Sequence, residues 1–216
     1  SGEKVLAGSE EVASAKVILV TTREADLTAL KNVNLEVSSG DVVANDKMLS
    51  SLKNVYVPGD VNGKNLLAHA AFKMGDIAAS EIVEGKSDKY NNNIIPRAIY
   101  TYPEIGSVGL TEEEAKKSYD VKVGKFNYSA NGRALAHGDS SGMVKIISDA
   151  RYGEILGAHI VGPRASELIN EVSILMQSEI IVEEAIKMVF GHPTFSEAIY
   201  EAIADVEGVS VHLPKK

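Results

Sequence analysis

Residues 143–161 read Met-Val-Lys-Ile-Ile-Ser-Asp-Ala-Arg-Tyr-Gly-Glu-Ile-Leu-Gly-Ala-His-Ile-Val and contain two apolar runs on either side of a polar segment. The runs at residues 143–148 and 154–161 have the length and the β-branched composition of strands. The intervening residues 149–153 include Asp and Gly, which favours a hairpin connection. This stretch therefore predicts an antiparallel strand pair.

Further elements are predicted on both sides of this pair. Residues 121–128 and 107–110 have strand character, and Thr111 with Glu114 forms the S/T-x-x-E capping box that opens a short helix. Three apolar stripes at helical spacing follow the strands: Leu168, Ile169, Val172, Leu175 and Met176; then Val182, Ala185, Ile186 and Val189; then Phe195, Ala198, Ile199, Ala202, Ile203 and Val206. Strands followed by helices predict an α+β fold, in which helices cover one face of an antiparallel sheet.

The first part of the chain has a different pattern. Residues 16–21 predict a buried strand, residues 38–41 a turn, and residues 54–57 a second short strand. A long helix is predicted at about residues 64–83, with its apolar face formed by Leu67, Ala70, Ala71, Met74, Ala78 and Ile82. The polar residues 86–93 resemble a linker.

Composition limits the classes of function. The 216 residues include 22 basic and 30 acidic side chains, a formal charge of −8, which argues against nucleic acid as a partner. The longest apolar run, residues 17–20, is too short to span a bilayer, and no leader opens the chain. We therefore expect a cytoplasmic protein without a membrane partner, with an organelle matrix as the alternative. The absence of cysteine excludes a disulfide scaffold, a thiolate metal site and a dithiol redox centre within the chain, and no histidine pair has the spacing of a metal site.

The sharpest local feature is Gly-His-Pro-Thr-Phe-Ser-Glu at residues 191–197. As local structure, Thr194 is a helix N-cap and Glu197 completes a capping box, while Pro193 keeps His192 extended outside the helix. The same geometry suits a general base, because a carboxylate that accepts from one ring nitrogen fixes the tautomer and leaves the other nitrogen free to take a proton. The two interpretations are compatible, since one set of residues can serve both.

A second candidate site lies where residues 55–60 run into the long helix. As local structure, the Pro-Gly-Asp sequence at residues 58–60 is a turn. As a binding site, Asp60 would accept hydrogen bonds from ribose or ribityl hydroxyls, and the helix would direct its N-terminal N–H groups at an anion. His69 lies early in that helix, where it either contacts such a ligand or packs. The glycine spacing of a pyrophosphate loop is absent here, so this is only part of a nucleotide site.

Several stretches, in the same order, resemble the FAD-dependent pyridine nucleotide–disulfide oxidoreductases and, within that family, most closely the dihydrolipoamide dehydrogenases. The matching stretches, in chain order, are residues 59–61, 67–70, 102–112, 131–134, 156–162 and 191–202. Residues 191–202 resemble the family's C-terminal signature, and residues 102–112 resemble the strand that opens its interface domain. Residues 59–61 and 67–70 resemble its second FAD-binding segment.

The resemblance implies that His192 takes a proton from a dithiol substrate and protonates a leaving thiol, with Glu197 orienting its ring. In this family the histidine of one subunit completes the active site of its partner, so a homodimer is implied. The implied activity is oxidation of dihydrolipoyl groups in 2-oxo acid dehydrogenase complexes, with lipoyl domains as the protein partner.

The resemblance also implies FAD and NAD as the cofactors of the complete enzyme. Asp60 would hydrogen-bond the ribityl chain of FAD. The backbone N–H groups near Leu67 and Ala68, with His69 beside them, would face the flavin pyrimidine edge, where reduction places negative charge.

The family's glycine-rich FAD loop, paired-cysteine motif and NAD domain have no match in the sequence. We therefore expect the chain to be the C-terminal portion of a flavoenzyme, inactive alone and without a cofactor of its own. Residues 1–94 would be a remnant of the nucleotide-binding region, and residues 95–216 the dimerisation (interface) domain. Arg23 corresponds to the arginine of a Gly-Arg-x-Pro-Asn segment of the family, whose Gly and Pro are replaced here.

Two other functions are open at this point. The chain could be a non-catalytic dimerisation module, or the same portion of a glutathione-reductase-like or transhydrogenase flavoenzyme. A cysteine-containing segment upstream in the gene would exclude the first alternative, whereas the residues that follow the signature favour a dihydrolipoamide dehydrogenase only modestly over the second.

Overall fold

The structure is a computed structural model that describes residues 5–7, 9–12, 18, 20 and 23–213. Short N-terminal hairpins lead to one long helix, which is followed by a five-stranded sheet covered by helices. No helix within these residues combines the length and the apolar character needed to cross a membrane. Short 3-10 turns occur at Thr28–Leu30, Asp60–Asn62, Asn92–Ile94 and Tyr128–Ala130.

Two antiparallel hairpins open the fold. The first pairs β1 (Val5–Ala7) with β2 (Glu10–Val12), and the second pairs β3 (Val37–Ser38) with β4 (Asp41–Val42). The loop of the second hairpin, residues 39–40, has φ values of 53° and 95°. Two consecutive positive φ values are the requirement of a type I′ turn, so the turn predicted at residues 38–41 is confirmed.

Of the two strands predicted in the first part of the chain, one lies outside the described residues and the other is wrong. The strand at residues 16–21 lies outside them except for Ile18 and Val20, which are exposed and in no strand. Residues 54–57 form no strand, because Asn54 has a φ of 64°, in the left-handed region. Only an isolated bridge between Leu49 and Tyr56 remains.

The long helix α1 spans Ala68–Glu84, so it begins four residues later than predicted. Asn65 Oδ1 accepts from the N–H of Leu67 at 3.1 Å and holds the preceding residues in a local turn that competes with the helix. The face of α1 against the rest of the protein is formed by Ala70, Met74, Ile77 and Ala78. Ile82, predicted on this face, is 62% exposed.

Five strands form one fully antiparallel sheet in the spatial order β5-β6-β9-β8-β7. Their bounds are β5 Arg97–Ile99, β6 Ile105–Gly109, β7 Val121–Asn127, β8 Met143–Asp149 and β9 Ile155–Val161. The predicted strand pair is therefore confirmed as the β8–β9 hairpin. Asp149 closes its turn, because its carboxylate accepts from the N–H groups of Arg151 and Tyr152 at 3.2 and 3.1 Å.

The short helix α2 (Glu112–Ala115) begins with the predicted capping box. Thr111 Oγ1 accepts from the N–H of Glu114 at 3.2 Å, and the Glu114 carboxylate accepts from the N–H of Thr111 at 2.8 Å. Ala115 packs with Ile147 and Leu156 in a small cluster of its own. These side chains lie on the opposite face of the sheet from the main core, to which Ile146 belongs.

The remaining helices are α3 (Gly132–His137), α4 (Ala165–Gln177), α5 (Val182–Ala185) and α6 (Glu197–Val206). Helix α4 packs on β5, β6 and β9, and α6 packs on β7 and β8, so the two cover one face of the sheet. All six residues predicted in the last apolar stripe are buried there. This arrangement confirms the predicted α+β fold.

Helix α5 is shorter than its predicted stripe, which continued to Val189. Beyond Ala185 the backbone N–H groups of Lys187 and Met188 bond three residues back instead of four. Three residues per turn no longer match a 3.6-residue stripe, and the side chain of Val189 is 98% exposed.

Two glycines set how closely the helices approach the sheet. A Cβ on Gly106 of β6 would overlap the carbonyl oxygen of Ala165 in α4, and a Cβ on Gly124 of β7 would overlap the carbonyl oxygen of Ala202 in α6. The backbone of each helix therefore rests directly on a strand: α4 does so at its first residue, and α6 does so in its second half.

Replacing Gly124 by Ala should destabilise the protein by about 1–3 kcal/mol, because α6 must move away from β7 to admit the methyl group. Urea unfolding followed by circular dichroism measures this change. Gly75→Ala is the control: its Cβ would meet no atom within 4 Å, and in a helix interior the change should stabilise by roughly 0.5–1 kcal/mol. A Gly124→Ala variant as stable as the wild type would contradict the close contact.

Candidate active site

His192 and Glu197 meet where α6 begins. His192 Nδ1 lies 2.8 Å from Glu197 Oε1. Because a carboxylate oxygen only accepts, Nδ1 carries the proton, and in the neutral ring Nε2 is free to take another. The histidine side chain is 74% exposed and the glutamate side chain 20%, so the ring projects to the surface from a partly buried support.

The second oxygen of Glu197 fixes the loop that carries the histidine. Glu197 Oε2 accepts from the N–H of Thr194 at 2.8 Å, and the Thr194 hydroxyl donates to the carbonyl oxygen of Gly191 at 2.6 Å. Only half of the predicted capping box therefore forms, and the prediction of Thr194 as N-cap is wrong. The Thr194 hydroxyl is drawn back to Gly191, while Ser196 already has helical dihedrals and is the N-cap of α6.

Phe195 anchors the same loop in the core. Its side chain is buried and meets the rings of Tyr128 and His137 edge-on, with centroid distances of 6.1 and 5.7 Å. Burial, together with the nearby carboxylates of Glu104 and Glu171, raises the pKa of the Tyr128 hydroxyl well above its ordinary value, so this support stays uncharged. His137 is the last residue of α3.

Two polar contacts from neighbouring helices, which the sequence did not reveal, also hold the loop. Ser196 Oγ donates to Glu171 Oε1 of α4 at 2.7 Å, and Asn131 Nδ2 donates to the carbonyl oxygen of Thr194 at 3.1 Å. Asn131 belongs to a recognised stretch, but Glu171 carries no local signal, since its partner is 25 residues away.

Glu201, one turn further along α6, is a buried carboxylate that the sequence did not explain. Its side chain is 3% exposed and accepts from the Ser210 hydroxyl, from the N–H groups of Val211 and His212 at 3.0 and 3.1 Å, and from His212 Nδ1 at 2.7 Å. Burial opposes ionisation, but the hydrogen bonds from Ser210 and His212 outweigh it and lower the pKa of the Glu201 carboxyl. The ionised side chain fastens the C-terminal segment to α6, so His212 does not lie in an unattached tail.

Asp60 forms the second group of candidate residues with Arg23. The two side chains pair at 3.1 Å between Asp60 Oδ2 and Arg23 Nη2, and the guanidinium also donates to the carbonyl oxygen of Leu66. Asp60 opens a 3-10 turn directly after Gly59, whose φ is 88°. Its carboxylate is 46% exposed, so it can accept further hydrogen bonds.

The N-terminus of α1 lies just beyond this pair. The N-cap residue Leu67 makes no side-chain cap, no acidic residue occupies the first turn, and Ala68 and His69 are exposed. First-turn N–H groups have no acceptor within a helix, so this end of α1 favours an anionic group. His69 Nε2 donates to the carbonyl oxygen of Pro96 at 2.7 Å, which ties the helix to the start of β5.

The structure thus forms two separate groups from the predicted site residues. His192 and Glu197 bond within the loop 191–197, whereas Asp60, Leu67 and His69 bond around the start of α1. The described residues also contain no group of three or more side chains arranged to hold a metal ion.

Comparison with known proteins places this geometry in a family. The model of the pyridine nucleotide-disulphide oxidoreductase dimerisation domain matches residues 95–203, about half of the chain. The chain belongs to this family. The match covers the whole sheet, helices α2 to α5 and most of α6, and it includes both His192 and Glu197.

Two curated relatives illustrate the similarity. Dihydrolipoyl dehydrogenase of Bacillus subtilis is 39% identical over 184 residues, which cover 85% of this chain and 40% of the relative. The enzyme of the same name from Thermus scotoductus is 38% identical over 216 residues, 98% of this chain and 46% of the relative. The chain therefore spans less than half the length of these relatives.

Two solved structures share the fold over most of this chain. LpdA from Mycobacterium tuberculosis superposes with a TM-score of 0.77 at 25% identity, over 82% of this chain and 39% of LpdA. The HOCl-induced flavoprotein disulfide reductase RclA from Escherichia coli superposes with a TM-score of 0.82 at 22% identity, over 93% of this chain and 47% of RclA.

Glu197→Gln should reverse the tautomer of His192. The N–H of Thr194 will take the amide oxygen of the glutamine, so the amide NH2 will face His192 Nδ1 and turn it into an acceptor. The proton then moves to Nε2, which long-range ¹H–¹⁵N NMR spectra of the neutral ring detect.

The matched control is Glu207→Gln, which changes an exposed carboxylate just beyond the other end of α6 and should leave the His192 spectrum as it is. A His192 ring that keeps its proton on Nδ1 in Glu197→Gln would show that Glu197 does not set the tautomer.

Proposed function

We propose that this chain is the C-terminal portion of a dihydrolipoamide dehydrogenase and contributes its acid/base residue, His192. The observation that carries the proposal is the exposed His192 ring, held at Nδ1 by the Glu197 carboxylate. Supporting it are the names of the curated relatives and the family of the dimerisation domain.

In the proposed reaction His192 Nε2 takes the proton of a dihydrolipoyl thiol. The thiolate that remains is the nucleophile for exchange with a disulfide, and the imidazolium is stabilised by the Glu197 carboxylate at Nδ1. In the reverse sense the same Nε2 returns a proton to a leaving thiolate. The chain has no cysteine, so the disulfide must come from another segment or another subunit.

FAD and NAD are the proposed cofactors of the complete enzyme, and residues 1–94 are proposed as part of its nucleotide-binding region. Asp60 fits as an acceptor for ribityl hydroxyls because its carboxylate is half-exposed beside Arg23. The open N-terminus of α1 at Leu67, Ala68 and His69 fits an edge of the flavin that becomes negative. When bound there, FAD would supply the two-electron redox chemistry that connects the dithiol to NAD.

A homodimer is the proposed assembly, with residues 95–216 as the dimerisation domain and lipoyl domains of a 2-oxo acid dehydrogenase complex as the further partner. The match of residues 95–203 to a dimerisation domain supports it. If His192 acts on a disulfide beside the flavin, that disulfide and flavin can belong to the partner subunit. Cytoplasm stays the predicted compartment.

His192→Gln in the intact flavoenzyme that contains this chain should slow reduction by dihydrolipoamide by about 10²–10⁴-fold, the usual loss when general acid/base help is removed. Stopped-flow absorbance of the flavin measures this half-reaction. His159→Gln is the control, because its ring bonds the carbonyl oxygen of Leu110 within the sheet, and its rate should stay near the wild type. A loss below roughly tenfold for His192→Gln would leave the histidine a structural role only.

A further inference from the structure

Asn131 is a buried polar side chain whose two ends bond different parts of the molecule. Its side chain is 3% exposed. The amide oxygen accepts from the N–H of Ala134 at 2.9 Å and caps α3, while the amide nitrogen donates to the carbonyl oxygen of Thr194 at 3.1 Å. Thr194 lies 63 residues from Asn131 along the chain, whereas Ala134 lies only three residues from it.

Thr194 is held at all three of its polar groups. Its carbonyl oxygen accepts from Asn131, its N–H donates to Glu197 Oε2 at 2.8 Å, and its hydroxyl donates to the carbonyl oxygen of Gly191 at 2.6 Å. The Thr194 N–H and His192 Nδ1 bond different oxygens of the Glu197 carboxylate, so the orientation of residue 194 affects which oxygen is left for the ring.

The residue type matches this double task. An amide has one acceptor and two donors, whereas a carboxylate has acceptors only and a serine hydroxyl is shorter. Helix N-caps accept Asn, Asp and Ser almost equally well. Capping of α3 therefore does not require Asn, but donation to Thr194 from the same side chain does.

We propose that Asn131 is a positioning residue for the His192–Glu197 pair: by holding the Thr194 carbonyl it keeps Glu197 Oε1 available to His192 Nδ1. The contribution to catalysis rests on the function proposed above, whereas the effect on the ring does not. Asn131 itself lies behind the loop and bonds backbone atoms of α3 and residue 194.

Asn131→Asp separates the two tasks, because it keeps the cap of α3 and replaces the donor to Thr194 with a repelling oxygen. In this chain the ratio of Nδ1–H to Nε2–H tautomer of neutral His192, measured by long-range ¹H–¹⁵N NMR, should fall about tenfold, as loss of a buried hydrogen bond to the loop predicts. Asn91→Asp is the matched control: it changes another N-cap, whose side chain accepts from the N–H of Asn93 at 3.0 Å, and should leave the ratio unchanged.

Asn131→Ser provides a second, uncharged variant that caps α3 without reaching Thr194, and circular dichroism checks that each variant folds. A His192 tautomer ratio that stays at the wild-type value in a folded Asn131→Asp or Asn131→Ser protein would overturn the proposal. In the intact flavoenzyme, Asn131→Asp should lower kcat about tenfold with little change in KM. If His192→Gln leaves activity intact, the proposed function fails, but the tautomer measurement still decides the role of Asn131.

Discussion

The two carboxylate oxygens of Glu197 point at two different partners, and the candidate site depends on that division. One oxygen accepts from the N–H of Thr194, the other from His192 Nδ1, each at 2.8 Å. Because both partners lie in the loop before α6, the carboxylate at the first residue of the helix fixes the loop and the protonation of the ring together. The remaining contacts of the loop, through Phe195, Ser196 and Asn131, keep it against the core so that this division persists.

Contacts of α6 outside the loop also position the His192–Glu197 pair. Helix α6 lies directly on β7, and the buried Glu201 fastens the C-terminal segment to it one turn after Glu197. Glu197 is the first residue of α6, so the position of this helix on the sheet sets the position of the carboxylate that holds the His192 ring. The ring itself is 74% exposed, which suits the proposed action of His192 on groups brought by another segment or subunit.

Much of this could be predicted from sequence because it follows from local pattern. Two apolar runs and the turn residues between them identified the β8–β9 hairpin, and the last apolar stripe identified the buried face of α6. The errors have physical causes that no local pattern carries: a left-handed Asn54 broke a predicted strand, Asn65 delayed the start of α1, and a tighter turn after Ala185 exposed Val189. In the site, the signature residues were found, whereas Glu171 and the function of Asn131 depend on partners 25 and 63 residues away.

The central proposal, that His192 of one subunit serves a redox disulfide of the other, is tested most directly with mixed dimers of the intact flavoenzyme. Subunits that carry His192→Gln are combined with subunits whose redox cysteines are replaced by serine, each kind being inactive as a homodimer. Lipoamide-dependent activity is then measured on the purified mixed dimer. The proposal predicts that one of the two sites regains near wild-type turnover, because it combines an intact disulfide with an intact histidine. A mixed dimer as inactive as both parents would contradict it.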